Sequence, residues 1–249
     1  MEKINRTPFQ GIVNIVRFNW HLYVLFLLLL VGGLLFTQYT LTRLMLCGAA
    51  IATLSSLVVS WYIYDGSDLY TLLWLDDMEL RPYARIVNIH AGFDETSQLL
   101  ANKYPEADLQ VFDFYNREMH TEISIERARK RYAPYAGTKT TSTAAVPLEP
   151  ASVDVVFLLL AAHEIRDPVE RTIFFKELRR CLAADGRIVV LEHLRDTPNF
   201  IAYTIGFLHF FSGANWRRTF EGAQLTLEKE KKITPFLSAF ILQKNGIAS

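Results

Sequence analysis

Cysteine is nearly absent from this 249-residue chain. Cys47 and Cys181 stand far apart, which excludes a disulfide framework, a redox pair and a thiolate metal site. Each reads as a small hydrophobe, in a reducing compartment. Excess charge is absent too. Lys and Arg number 26 and Asp and Glu number 26, so no global basic field calls for nucleic acid. No internal repeat is visible, and no Gly-x-Gly-x-x-Gly follows the first strand-like run. No metal is expected. What the chain has in quantity is apolar surface: 51% of residues are hydrophobic and mean hydropathy is +0.14, with the excess concentrated near the N-terminus.

Trp20 to Phe36 (WHLYVLFLLLLVGGLLF) and Leu44 to Tyr64 (LMLCGAAIATLSSLVVSWYIY) carry no charged side chain. Each is near the ~20 residues that cross a bilayer as a helix. Trp20, Tyr23, Trp61, Tyr62 and Tyr64 stand near the ends, where amphipathic rings favour the interface. The short link Thr37 to Arg43 predicts a hairpin, and Gly48, Ala49, Ala50, Ala52, Ser55 and Ser56 allow close helix packing. A cleaved signal peptide fits poorly, because the second apolar run follows at once. Lys3, Arg6 and Arg17 precede the first span and only Arg43 sits in the link, which places both termini in the cytoplasm. Within residues 1–19, Phe9, Ile12, Val13 and Val16 fall at helical spacing; this stretch lies flat on the membrane, or the span starts earlier. The expected organisation is an interfacial segment (1–19), a transmembrane hairpin (20–64), a connector (65–84) and a cytoplasmic domain (85–249). An integral protein of a bacterial inner membrane follows.

The acidic connector ends at Pro82, and strand-like runs then alternate with helical ones. Strands are expected at Arg85–Ile89, Leu109–Phe112, Val153–Leu160, Arg187–Glu192, Ala223–Glu230 and Ala239–Lys244. Helices are expected at Glu95–Lys103, Glu118–Tyr132 and Pro168–Leu182. This alternation predicts an α/β domain, a mostly parallel sheet with helices on both faces and a final hairpin.

These elements, in this order, resemble the class I S-adenosylmethionine-dependent methyltransferases over about residues 83–246. "VNIHAGFDETSQLLA" lines up with the family's first strand and glycine loop, "LQVFDF" with its second strand ending in Asp113, and "VPLEPASVDVVFLLLAAHEI" with its Leu-Pro and Phe-Asp-Val-Val stretch. "ERTIFFKELRRCLAADGRIVVLEHL" resembles its helix, Gly turn and fifth strand, and "LTLEKEKKITPFLSAFILQK" its last hairpin. The resemblance implies a Rossmann-like sheet and S-adenosylmethionine bound at the strand ends by Asn88, His90, Gly92, Asp94, Asp113 and Ser142. It implies ribose contact for Asp113, whose position also suits a helix cap. The sequence departs from the family at four places: Asn88 and Ser142 replace acidic residues, and His90 and Asp94 replace glycines. Asp94 either pairs with the cofactor ammonium or, with Thr96 and Ser97, caps a helix.

His163 and Glu164 follow the fourth strand, and His193 ends the fifth. Either histidine can take an acceptor proton near neutral pH, with His163 preferred. Alternatively, Glu164 pairs with Arg166 or Arg195 and the histidines stand aside. In the insertion at about 197–218, Phe200, Tyr203, Phe207, Leu208 and Phe211 follow helical spacing, and Trp216 precedes Arg217 and Arg218. This reads as a lid dipping into the bilayer, or as a helix packed on the core or on the hairpin. A basic run at Arg127, Arg129, Lys130 and Arg131 faces headgroups or solvent. Tyr135 and Lys139 have the spacing of a reductase pair, but Pro134 and Gly137 put them in a loop. The reading is a methyltransferase acting on a lipophilic acceptor: a phenolic or polyene pigment, a quinone precursor or a lipid. Its partners are the bilayer and that acceptor, with no nucleic acid and an oligomer as an open option. The rival is an inactive membrane scaffold of the same fold.

Overall fold

The N-terminal third is helical in the computed structural model, which describes residues 6–119 and 122–245. Lys3 therefore lies outside the described residues. α1 (Gln10–Phe18) and α2 (Trp20–Phe36) meet at a bend of 73°. Helix α3 (Thr40–Trp61) runs on through a π-turn at Tyr62–Gly66, starting one turn earlier than the apolar run suggests. Thr40–Gly66 is long and apolar enough to cross a membrane; α2 meets the same test only together with α1. Side chains around α3 stand open, among them Leu41, Met45, Ile51, Leu54 and Val58, and α2 is apolar on every side with no buried residue.

α1 packs on the rest of the protein. It has no cap of its own, so Asp65, at the far end of α3, supplies one. The Gly11 and Ile12 amides donate to its carboxylate at 2.7 and 2.9 Å. A Cβ at Gly11 would collide with Tyr64, so glycine lets α1 sit directly on the end of α3. At the other end, Tyr132 donates to Asn14 at 2.9 Å, and Phe18 packs edge-on against Phe93 and Tyr132. Asp65→Ala is expected to cost about 1 kcal/mol of this docking, as loss of a helix cap does. Amide hydrogen exchange along α1 should then quicken about fivefold. Unchanged exchange would show that the cap does not hold the helix.

Residues 85–244 form one seven-stranded sheet in the order β3-β2-β1-β4-β5-β7-β6. The strands are β1 (Arg85–His90), β2 (Asp108–Asp113), β3 (Lys139–Thr140), β4 (Val153–Leu159), β5 (Leu182–His193), β6 (Leu225–Thr234) and β7 (Leu237–Lys244). Strands β1 to β5 are parallel, and β7 runs antiparallel to both β5 and β6. The central strands are nearly continuous in buried Val, Ile, Leu and Phe because helices cover both faces. Those helices are α4 (Ser97–Lys103), α5 (Ile123–Arg131), α6 (Pro168–Cys181), α7 (Thr197–Tyr203) and α8 (Gly213–Gly222). α5 starts later than Glu118. Lys139 lies in the two-residue edge strand, not on a helix, and Tyr135 precedes it in the loop.

The insertion is not one helix. α7 ends where Thr204 takes φ 51°, and a 3-10 segment (Thr204–His209) follows. α7 lies against α3, with the Ser60 and Tyr203 hydroxyls 3.5 Å apart. Phe200, Ile201, Ile205 and Leu208 project outward, 50 to 81% exposed, whereas Tyr203, Phe207 and Phe211 are partly buried. Trp216 corrects the expectation of an interfacial anchor. It is fully buried, stacked on Phe220 and edge-on to Phe175 and Phe211, because α8 carries it into the core between α6 and the sheet.

Candidate active site

The parallel strands end in polar groups under α1. β1 closes on His90, and Gly92 turns the chain at φ 94° toward α4. β4 ends in a turn at Leu160, φ 56°, that delivers His163 and Glu164. β5 ends on Glu192 and His193. A cavity of about 350 Å³ lies over these ends. Its walls are shared. The sheet side supplies His90, Leu159, Leu160, His163, Glu164 and His193, and the N-terminal segment supplies Gly11, Asn14, Ile15, Phe18, Tyr64 and Tyr70. Its size suits a small-molecule ligand.

His163, the base preferred from sequence, has both ring nitrogens engaged. Its Nδ1 lies 2.7 Å from Glu192 Oε2 and its Nε2 3.1 Å from Glu164 Oε1, so carboxylates take both nitrogens. Burial opposes a charge here, but Glu192 and Glu164 outweigh it and push the imidazole up to about 10. Burial likewise works against the Glu164 charge, and His163 nonetheless holds it below the usual carboxylate range. Glu164 thus pairs with His163 rather than with Arg166 or Arg195. Arg195 donates instead to the carbonyls of Leu208 and Phe210.

His193 is the contrasting case. Asn199 spends its amide N–H groups on Asp196 Oδ1 (2.9 Å) and the Phe236 carbonyl (3.1 Å). Its Oδ1 is left to accept from His193 Nδ1 at 3.2 Å, which fixes the tautomer. His193 Nε2 is then a lone pair, and the Tyr64 hydroxyl donates to it at 2.9 Å. Burial lowers the His193 pKa to about 4, with repulsion from His163 adding to it, so the ring is neutral at physiological pH. Phe210 stacks on it with centroids 4.6 Å apart. Tyr64 was legible only as an interfacial aromatic. Arg6, Tyr70 and Glu95 carried no motif at all, yet they tie the N-terminus to this wall: Glu95 accepts from Arg6 at 2.9 Å and from Tyr70 at 2.8 Å.

A smaller cavity, about 170 Å³, lies beside the first and shares His90 and Phe93 with it; Asp113 and Arg129 are on its wall. Asp113 accepts from the Tyr115 amide at 2.9 Å, and Arg129 bonds its other oxygen. His90 accepts from the Gly92 amide at 3.2 Å. Asp94 Oδ1 takes the Thr96 and Ser97 amides at the start of α4, and Asn88 donates to the hydroxyls of the same two residues. Around this turn the buried Asn88 Oδ1, His90 Nε2 and Asp94 Oδ2 lack a hydrogen-bond partner, the last two lying 4.0 Å apart. Ser142 is exposed, exchanges hydrogen bonds with Ala145 and lines neither cavity. Of the basic run, Arg127 reaches the Phe18 carbonyl and Lys130 pairs with Glu126.

The family described as a methyltransferase domain matches residues 92–190. This is a class I methyltransferase fold. A SAM-dependent methyltransferase from Aquifex aeolicus is 14% identical with a TM-score of 0.51, covering 71% of this chain and 89% of the other. One from Leishmania major is 15% identical with a TM-score of 0.51, covering 71% of each chain. One from Methanosarcina mazei is 18% identical with a TM-score of 0.50, covering 66% of this chain and 94% of the other. No curated protein matches the chain. The domain match and the fold support S-adenosylmethionine as the cofactor. The donor set is compatible with it. Asp113 and Asp94 line the smaller cavity, and carboxylates there suit a cofactor with a diol and a cationic amine. Arg129 now holds Asp113, bonds the Gly92 carbonyl at 3.3 Å and lies over the Tyr115 ring; its side chain is 38% exposed.

Proposed function

We propose that this chain is a membrane-anchored methyltransferase that moves a methyl group from S-adenosylmethionine to a lipophilic acceptor taken from the bilayer. One observation carries the reading: the 350 Å³ cavity has one wall from the strand ends and one from the N-terminal helices. An acceptor leaving the membrane would then enter beside the N-terminal helices, where α1 and Tyr64 line the cavity. The exposed apolar surface of α3 continues onto Phe200, Ile201, Ile205 and Leu208, which supports a hairpin embedded in the bilayer and an insertion dipping into its surface.

Bound S-adenosylmethionine supplies an electrophilic methyl on a sulfonium. Asp113 would hold its ribose, and Asn88 and Asp94 its amine. The protein must then place the acceptor oxygen, exclude water and take up one proton. α1 covers one side of the cavity with Gly11, Asn14, Ile15 and Phe18. Tyr64 is placed to pass the acceptor's proton to His193 Nε2, while Asn199 keeps that nitrogen bare. Of the lipophilic acceptors named from sequence, those bearing a hydroxyl fit this arrangement: phenolic pigments, quinone precursors, and polyene pigments or lipids that carry one.

The test is transfer of label from methyl-tritiated S-adenosylmethionine by the full chain in vesicles, with an organic extract of its host membranes as acceptor. Label should enter the organic phase. Turnover confined to water-soluble acceptors would overturn the lipophilic assignment. The hold of Arg129 on Asp113 favours one rival, a scaffold that no longer binds cofactor. A flat calorimetric titration of folded protein with S-adenosylhomocysteine would establish that rival.

A further inference from the structure

One wall of the large cavity gathers metal-ligating side chains that the methyl-transfer reading leaves unused. His163 and Glu164 come from the turn after β4, His209 from the 3-10 segment after α7, and Glu122 from the start of α5. Ligand atoms of His163, Glu164 and His209 all lie within 4.8 Å of one another. Glu122 Oε1 is 3.5 Å from His209 Nδ1. Glu122 and His209 are distant in sequence from the adjacent His163 and Glu164, so no spacing announces the set.

We propose that His163, Glu164 and His209, with Glu122 beside them, bind a divalent transition-metal ion. The decisive feature is Glu192. It is 1% exposed, lies 2.7 Å from His163 Nδ1 and also accepts the His163 amide at 3.1 Å. A metal-binding imidazole characteristically donates its second nitrogen to a carboxylate in this way, which orients the ring and leaves Nε2 for the ion. His163 Nε2 does point to the other ligands, 3.1 Å from Glu164 Oε1. Metal–nitrogen and metal–oxygen bonds of ~2.0–2.2 Å require the ligands to close in by small rotamer shifts. The cavity leaves room for a further ligand on the open side.

Two imidazoles with carboxylates select a zinc- or iron-like dication over magnesium or calcium, which prefer oxygen alone. One group competes. Arg166 Nη2 sits 2.5 and 2.8 Å from the two nitrogens of His209, and Nη1 donates to its carbonyl at 2.6 Å. Arg166 is exposed and can withdraw.

The site stands independently of methyl transfer, and its test reads metal alone. Metal-free full-length protein in detergent is titrated with Zn²⁺ by calorimetry, with Mg²⁺ as contrast, and with Co²⁺ by visible absorption. One Zn²⁺ per chain should bind with a micromolar or lower dissociation constant, and Mg²⁺ should not. His209→Gln, on a surface segment, should weaken Zn²⁺ binding and reduce the Co²⁺ absorption. Glu192→Gln, which removes no ligand, should weaken binding about 10- to 100-fold. Arg166→Gln should tighten it, by removing the competitor. A flat Zn²⁺ titration of folded protein overturns the proposal, as does one-to-one binding unchanged in both His209→Gln and Glu192→Gln. Thermal unfolding of each variant confirms that a loss of binding is not a loss of fold.

Discussion

Tyr64→Phe and His193→Gln are each expected to cut methyl transfer by about 10²–10⁴-fold, the range for loss of a positioned acid–base group. The acceptor KM and S-adenosylhomocysteine affinity should stay near wild type. Both substitutions keep size, and neither residue is among those assigned to hold the cofactor. The pH profile adds a sharper check. His193 must be unprotonated to accept, and burial, with His163 nearby, sets its pKa at about 4. Rate should therefore hold through pH 6 and fall only as pH drops toward 4, whereas an unperturbed histidine would give a limb near 6.5. Stability follows the same shift. Between about 6.5 and 4 the unfolded chain binds a proton that folded His193 refuses, so this residue's contribution is full above 6.5 and is lost as pH falls. A rate limb near 6.5, or full activity in Tyr64→Phe, would rule out the Tyr64–His193 pair.

The fold was legible because the parallel strands are covered on both faces. Runs such as Val155–Leu160 and Ile188–Leu191 are unbroken apolar stretches. Gly92 marks the turn after β1, whereas Gly186, expected in a turn, lies inside β5. The apolar helices were legible by length. What the sequence made legible at the site was position along the chain: Asp113 at the end of β2 and His193 at the end of β5. The site was not legible where partners meet across the fold. Whether His163 is a base or a held cation depends on Glu192, 29 residues away, and sequence shows neither the distance nor the burial. Tyr64 scored as an interfacial ring, since nothing local reveals that the end of α3 reaches the strand ends. Trp216 failed in the opposite sense. Two arginines beside a tryptophan match an interfacial pattern, but the one-sided placement of Trp216 and Phe220 on α8 turns both rings inward. Of the two roles open to Asp94, the helix cap is seen: one oxygen accepts from the Thr96 and Ser97 amides at the start of α4.

Asp113 and Arg129 should shift cofactor affinity in opposite directions. Asp113→Ala removes a charged acceptor at the end of β2, and hydrogen bonds to charged groups contribute about 1.5–3 kcal/mol. S-adenosylhomocysteine binding should weaken about 10- to 100-fold, read by calorimetry on the full chain in detergent. Arg129→Ala removes the guanidinium that holds this carboxylate and spans to the Gly92 carbonyl at 3.3 Å. Its side chain is 38% exposed, so the pair is worth at most about 1 kcal/mol, and freeing Asp113 should tighten binding about twofold to fivefold. The signs separate the two accounts of the altered turn. If Arg129 guards a working ribose site, its removal helps the nucleoside and removal of Asp113 hurts it. If Arg129 has permanently replaced the ribose, both variants and the parent give flat titrations, and Arg129→Ala registers only as lost stability.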